Sequence, residues 1–213
     1  MHRILCYGDP ITWGCIPQTE GRYPEDTRWP GVLRKELGQD YRVIEEGLGG
    51  RTTVWQDPLS RGYRNGKDYL IPCLESHRPL DLVIIMLGTN DLKARFSLTV
   101  YDIAAGGAVL VDLVLKSGAG RDGRPPNVLL IAPPSVYEGS EVVFAEAFKG
   151  AREKSLRLGA AFHRVASERG CFFLDADKIV KSSQLDGIHL ETKEHQKLGT
   201  TVAKVIRAKL GWD

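Results

Sequence analysis

Five short apolar runs, each nearly continuous in Val, Ile and Leu, restrict this chain's fold more than any other feature. They are Arg3–Tyr7, Tyr41–Glu45, Leu80–Leu87, Asn127–Ile131 and Cys171–Leu174. Runs of this length without polar alternation predict parallel strands covered on both faces. Segments of helical period lie between them. Trp29–Leu37 ends at Gly38, a C-terminal glycine. Tyr101–Lys116 carries Ile103, Gly106, Gly107, Leu110, Leu113 and Val114 on one stripe. Glu141–Arg169 predicts one long helix with Phe144, Phe148, Leu156, Phe162 and Val165 facing inward, and Lys193–Leu210 a last one with Leu198, Val202, Val205 and Leu210 on a single face. This alternation predicts an α/β fold: a three-layer α/β/α sandwich around a five-stranded parallel sheet, with residues 1–213 as a single domain.

Composition narrows the class. The chain has 213 residues, enough for a substantial core, and its formal charge of +2 comes from 29 basic and 27 acidic residues. That balance excludes a nucleic-acid footprint or a membrane-surface domain. No apolar stretch approaches the roughly 20 residues that cross a bilayer. Met1–Tyr7 runs straight into the first strand without a secretory pattern, so a cytoplasmic location is expected. Cys6, Cys15, Cys73 and Cys171 are scattered with no zinc-ligand spacing, and read as reduced core cysteines. The segments Pro17–Asp26, Asp57–Lys67 and Gly118–Pro126 read as surface loops.

In a parallel sheet, function gathers at the carboxyl ends of the strands. Gly8-Asp9-Pro10-Ile11-Thr12-Trp13-Gly14 follows the first strand, Glu46-Gly47-Leu48-Gly49-Gly50-Arg51-Thr52-Thr53 the second, and Gly88-Thr89-Asn90-Asp91 the third. Asp186-Gly187-Ile188-His189 precedes the last helix. This set supplies most parts of an acyl-transfer site. His189 is the candidate general base and Asp186 the residue that orients its ring. The backbone of Gly50 and the side chain of Asn90 are candidate donors to an oxyanion, where one lost donor typically costs about 2.7–4 kcal/mol of barrier.

These four motifs, in this order and across nearly the whole chain, resemble the SGNH hydrolases, or GDSL esterase/lipase family. Arg3–Gly14, Ile44–Thr53 and Asp81–Asp91 are especially similar to bacterial arylesterase and acyltransferase enzymes, some of which also make peracids. The resemblance implies a flavodoxin-like SGNH fold, an acyl-enzyme mechanism on small short-acyl or aryl esters, and water, alcohol or peroxide as acyl acceptor. It implies no metal or organic cofactor, and a homo-oligomer. Gly50 and Asn90 would hold the oxyanion, His189 and Asp186 would serve as base and orienter, and Asp9, Trp13 and Gly49 would line the substrate site.

One residue departs from the family. Gly-Asp-Ser reads Gly8-Asp9-Pro10 here, so the nucleophile position has no hydroxyl. Proline also lacks the backbone N–H that would be an oxyanion donor, and biases Asp9 toward an extended backbone. Loss of a triad serine costs on the order of 10⁶ in turnover, so serine chemistry is expected to be nearly absent. A non-catalytic protein that keeps the pocket for binding or assembly is the alternative, favoured by Pro10 and opposed by the intact Gly50, Asn90, Asp186 and His189.

Each motif also has a plainer reading. Gly88–Asp91 alone is an ordinary strand-to-helix turn, and Asp186–His189 alone a surface turn; their joint order makes them a site. Gly47, Gly49 and Gly50 lack the G-x-G-x-x-G spacing of a dinucleotide loop. His77, His163 and His195 read as solvated or capping residues and His2 as a surface residue, while Trp55 and Phe96 read as packing. Trp13 is equally suited to walling an acyl pocket or packing the core. Thr12, the nearest hydroxyl, is not expected to replace the serine, because residues two apart on a turn rarely point the same way. Arg61–Asp68 and Ser135–Val142 are candidates for subunit contacts or a pocket rim.

Overall fold

The structure, a computed structural model, describes residues 1–137 and 142–212, without the side chains of Val142 and Val143. Five parallel strands, β1 (His2–Gly8), β2 (Tyr41–Gly47), β3 (Leu82–Met86), β4 (Asn127–Ala132) and β5 (Phe172–Asp175), form one sheet in the order β2-β1-β3-β4-β5. Leu5 of β1 pairs with Ile44 of β2 and Val83 of β3, so β1 is interior. The winding direction reverses at β1, which opens a crevice at the carboxyl ends of β1 and β3.

The pleat sends alternate residues to opposite faces. Leu5, Tyr7, Val83, Ile85 and Leu130 pack under α3 (Gly66–His77), α4 (Val100–Lys116) and α6 (Ala151–Arg169). Ile4, Cys6, Ile84, Met86 and Ile131 pack under α2 (Trp29–Leu37) and α7 (Thr192–Leu210). The continuous apolarity of the strands follows from this coverage. The four-residue α1 (Pro10–Trp13) and the short α5 (Val142–Ala147) complete the helices. No helix of the described residues is long and apolar enough to cross a membrane.

The structure corrects several expectations. The long helix over Glu141–Arg169 is two helices, because Gly150 adopts φ +74° between α5 and α6; Glu141 itself lies outside the described residues. Leu156 faces outward, 55% exposed. The segment Asp57–Lys67 is not wholly a surface loop. Asp57 is buried and paired with Lys93 and Arg95, both at 3.0 Å, while Gly66 and Lys67 open α3 behind the Asn65 cap. All four cysteines are free, but only Cys6 and Cys73 are in the core; Cys15 and Cys171 are half-buried.

His195 takes the capping one of its two expected roles, in the core and not at the surface. It is fully buried, and its Nδ1 accepts the Trp29 N–H at 3.3 Å. Without the ring that N–H would be an unsatisfied donor at the start of α2, whose preceding residue Arg28 makes no side-chain cap. A ring from α7 thus caps α2 across the layer.

Candidate active site

Pro10 fits its position without breaking the turn. Asp9 is extended (φ −103°, ψ −157°) and its Oδ1 accepts the Ile11 N–H at 2.9 Å, capping α1. Proline is favoured at the first helical position, where its missing N–H has no partner to lose. Gly14, at φ +87°, ends the helix, and the amides of Gly14 and Cys15 both return to the Pro10 carbonyl, at 2.9 and 3.0 Å. The turn after β1 closes around Pro10, the candidate nucleophile position, with its cap and its terminating glycine in place.

Asp9, expected to line the substrate site, is instead a fully buried cap. Burial pushes its carboxyl up to about 6, although the Ile11 amide, Thr89 and the charge of His189 pull it back. Thr12 is also fully buried, and its hydroxyl packs so close to Gly8 that a Cβ there would stand 2.0 Å away. It is unavailable as a nucleophile.

Hydrogen bonds stitch the three strand-end loops together. The Leu48 N–H donates to the Gly8 carbonyl at 3.1 Å, and Arg51 Nη1 donates to the same carbonyl at 2.9 Å and to that of Glu46. The Arg51 guanidinium lies over the Tyr7 ring at 4.2 Å, which compensates a buried cation. Asn90 Nδ2 donates to the Arg51 carbonyl at 3.1 Å, so its side chain sits beside the Gly50 turn with a second N–H to offer. Gly50 needs its φ of +75°, and a Cβ at Gly49 would meet nothing within 4 Å.

Asp91, from the same turn as Asn90, is buried and receives the Thr53 N–H at 3.0 and 3.1 Å and the Thr53 hydroxyl. Burial pushes Asp91 up to about 6 against those hydrogen bonds. Sequence reasoning quoted Arg51, Thr53 and Asp91 within the motifs but gave them no role. Their signal was a charged or hydroxyl side chain inside an otherwise buried turn.

The fourth loop carries the candidate base, His189. Asp186 Oδ1 accepts the amides of Ile188 and His189, both at 3.0 Å, and Gly187 takes φ +76° to let the turn close. His189 Nδ1 then lies 2.6 Å from Asp186 Oδ2. Burial would raise the Asp186 pKa, but the bond to His189, its charge and the two amides hold it down to about 2. Burial would lower that of His189; Asp186 and the neighbouring Cys15 side chain push it up to about 9.

This loop reaches the elbow through the segment leaving α1. The Gln18 N–H donates to Asp186 Oδ2 at 3.2 Å. Phe144 packs edge-on to His189 with ring centroids 6.0 Å apart, and a cavity of about 350 Å³ opens there, lined by Val136, Tyr137, Phe144, Phe148, Asp186 and Ile188. Val136 and Tyr137 belong to the candidate rim Ser135–Val142; residues 138–141 of it lie outside the described residues. Trp13 is half-buried beneath the Arg22 guanidinium at 5.1 Å.

Among the described residues one group has metal-ligating atoms close together, Glu46, Cys73 and His77, within 4.8 Å of one another. His77 Nε2 is already bonded to Glu46 at 2.9 Å, and burial pushes the Cys73 thiol up to about 12. The thiolate that a metal requires is disfavoured there.

The fold as a whole has counterparts in known proteins. An aryl esterase from M. smegmatis superposes with a TM-score of 0.93 at 42% identity, covering 98% of this chain and 99% of that one. A carbohydrate acetylesterase from Sinorhizobium meliloti gives 0.92 at 41% identity, with 98% and 99% covered. A carbohydrate acetylesterase family member from the same organism gives 0.94 at 37%, with 99% and 100% covered. No curated sequence relative matches. The sequence profile of one family spans residues 6–197, from the first strand into the last helix and across every loop described above, and on that match the chain belongs to the GDSL-like lipase/acylhydrolase family.

Proposed function

We propose that this chain is an acyl-ester hydrolase or acyltransferase framework for small esters whose serine chemistry is cancelled at Pro10. The observation that carries the reading is the 2.6 Å Asp186–His189 contact, set beside an elbow that has kept its cap, its helix and its closing glycine. Solved relatives named aryl esterase and carbohydrate acetylesterase support a short-acyl or aryl ester as substrate. In the intended sequence residue 10 attacks the ester carbonyl and His189 moves the proton. The Gly50 amide and the second Asn90 N–H receive the oxyanion, and water, an alcohol or peroxide resolves the acyl-enzyme. Pro10 supplies neither the oxygen nor an amide donor.

The alternative, a protein that binds ligand without chemistry, rests on Pro10 alone. A base held by a buried carboxylate has no use in simple binding and weighs against it. Exposed Leu59 and Tyr63 ahead of α3 offer apolar surface for self-association, which sedimentation can measure.

The deciding experiment is p-nitrophenyl acetate hydrolysis by the chain and by Pro10→Ser. The serine variant is expected to gain at least about 10³-fold in kcat/KM. A folded Pro10→Ser protein with no gain overturns the esterase reading.

A further inference from the structure

We propose that Arg51 is the positioning residue of the oxyanion site, its guanidinium setting the distance between the elbow that carries residue 10 and the loops that carry Gly50 and Asn90. The inference rests on the esterase reading of the same site and adds to it a residue that touches neither substrate nor reacting atom.

Arg51 engages all three strand-end loops at once. Its Nη1 donates to the Gly8 carbonyl at 2.9 Å, at the end of β1 and just ahead of the elbow. The same nitrogen donates to the Glu46 carbonyl, where the loop bearing Gly50 leaves β2. The Arg51 N–H donates to the Leu48 carbonyl at 3.2 Å and closes the turn that contains Gly49 and Gly50. Its carbonyl accepts Asn90 Nδ2 at 3.1 Å, which commits one N–H of that amide and aims the other.

The guanidinium is itself held in place. Arg51 is 3% exposed, and its guanidinium carbon lies 4.2 Å from the centre of the Tyr7 ring and 5.5 Å from that of Tyr69. The two rings are stacked 6.4 Å apart, and the Tyr7 hydroxyl is fixed by donation to the Gly66 carbonyl at 2.6 Å. Among the described residues Arg51 forms no ion pair; its donors go to main-chain carbonyls at the site loops. Lysine in this slot keeps the charge and a donor but has no planar group to lie on Tyr7. Methionine fills the slot and donates nothing.

Oxyanion donors act only at hydrogen-bond distance from the place where charge develops, and a displacement of about 1 Å can cost about 10²-fold in rate. Releasing the Gly8 and Glu46 carbonyls frees the elbow to drift from the Gly50 turn. The loss then falls on kcat, because Arg51 does not hold the substrate.

The test uses the whole chain. With p-nitrophenyl acetate, Pro10→Ser/Arg51→Met is expected to lose about 10²-fold in kcat relative to Pro10→Ser, with KM changed less than about twofold. Pro10→Ser/Arg51→Lys is expected to recover about tenfold of that loss, and it carries the kinetic test should Arg51→Met fail to fold. Hydrogen exchange reads the same geometry in the unmutated chain without any chemistry. The Leu48 N–H donates to the Gly8 carbonyl at 3.1 Å across the gap in question, whereas Ile84 lies in the middle of β3. Arg51→Met is expected to speed exchange at Leu48 at least about tenfold more than at Ile84. Equal acceleration at both amides, or none at Leu48, overturns the proposal whether or not Pro10→Ser hydrolyses the ester. An unchanged kcat in the folded Pro10→Ser/Arg51→Lys and Pro10→Ser/Arg51→Met proteins overturns it too. If Pro10→Ser gains no hydrolysis while Leu48 alone exchanges faster, the esterase reading falls and the hold of Arg51 on the loops stands.

Discussion

Asp186 Oδ2 lies 2.6 Å from His189 Nδ1, and the other oxygen of the same carboxylate holds the backbone of the turn that presents His189. One side chain thus fixes both the position and the tautomer of the candidate base. In a Pro10→Ser background, Asp186→Asn is expected to lower kcat by about 10⁴ with little change in KM, as the wrong tautomer faces the nucleophile. Steady-state kinetics on the two proteins measures this. A loss confined to KM would show that Asp186 positions substrate instead.

The same pair links stability to pH. His189 sits at about 9 when folded, above its unfolded value, so its contribution is complete below about pH 6.5 and lost as pH rises toward 9. Asp186 sits at about 2, below its unfolded value, so its share is complete above about pH 4 and lost as pH falls toward 2. The stability gap between the chain and Asp186→Asn is therefore expected to be widest between about pH 4 and 6.5, and to shrink on both sides. Urea denaturation across pH 3–9, within the range where both proteins fold, follows it.

Gly47 ends β2 in contact with the elbow. A Cβ at this position would stand 2.2 Å from the Trp13 amide nitrogen, 2.5 Å from its Cα and 2.6 Å from the Thr12 carbonyl carbon. All three are backbone atoms, so no rotamer relieves the clash, and α1 or β2 must move. Gly47→Ala is expected to cost about 1–3 kcal/mol, or roughly 2–10 °C in Tm for a chain of this size. Gly49→Ala, with nothing within 4 Å of the added methyl, is expected to melt within about 2 °C of the parent. Equal melting temperatures for the two variants would contradict the packing of the elbow on β2.

The strands and the four loops of the candidate site were legible in the sequence because each rests on a local signal. Continuous apolarity marks a strand buried on both faces, and a glycine with polar neighbours marks the loop after it. The helical break was less visible: the apolar spacing of Phe144, Phe148 and Phe162 runs through Gly150 as though unbroken, although α5 closes at Ala147 and the left-handed Gly150 starts α6 afresh. Leu80 and Asp81 looked like the start of β3, yet Asp81 is held by the Arg3 amide and Arg121 at the sheet's lower edge. The sequence left His195 as either a solvated or a capping residue. Its partner Trp29 is 166 residues away in the chain, and nothing in the local pattern distinguishes a capping ring from a solvated one.

Thr53 and Asp91 lock the loop after β2 to the loop after β3. Asp91→Ala leaves the Thr53 N–H and hydroxyl without their acceptor inside a buried turn, at a cost of about 1–3 kcal/mol for each unsatisfied group. Because Gly50 and Asn90 ride on the two loops so joined, Pro10→Ser/Asp91→Ala is expected to lose kcat relative to Pro10→Ser even below its unfolding transition. Thr53→Val, which keeps the amide bond, is expected to lose less of both. Activity that tracks only the folded fraction would assign the clamp to stability alone.

His195 makes the acid limb of stability steep. Burial, reinforced by the charges of His189 and Arg28, holds its pKa down to about 4, and a protonated Nδ1 can no longer accept the Trp29 N–H. A base whose folded pKa lies below its unfolded value takes up its proton preferentially in the unfolded chain. Its stabilising share is therefore complete above about pH 6.5 and lost as pH falls to about 4. His195→Leu removes this dependence and leaves the first N–H of α2 unsatisfied, a cost of about 1–3 kcal/mol. Urea denaturation is thus expected to find His195→Leu less stable than the parent at pH 7.5, with the gap narrowing at pH 5 as the parent loses what the variant never had. A gap that stays constant between the two pH values would mean that burial does not hold the His195 ring neutral in the folded chain.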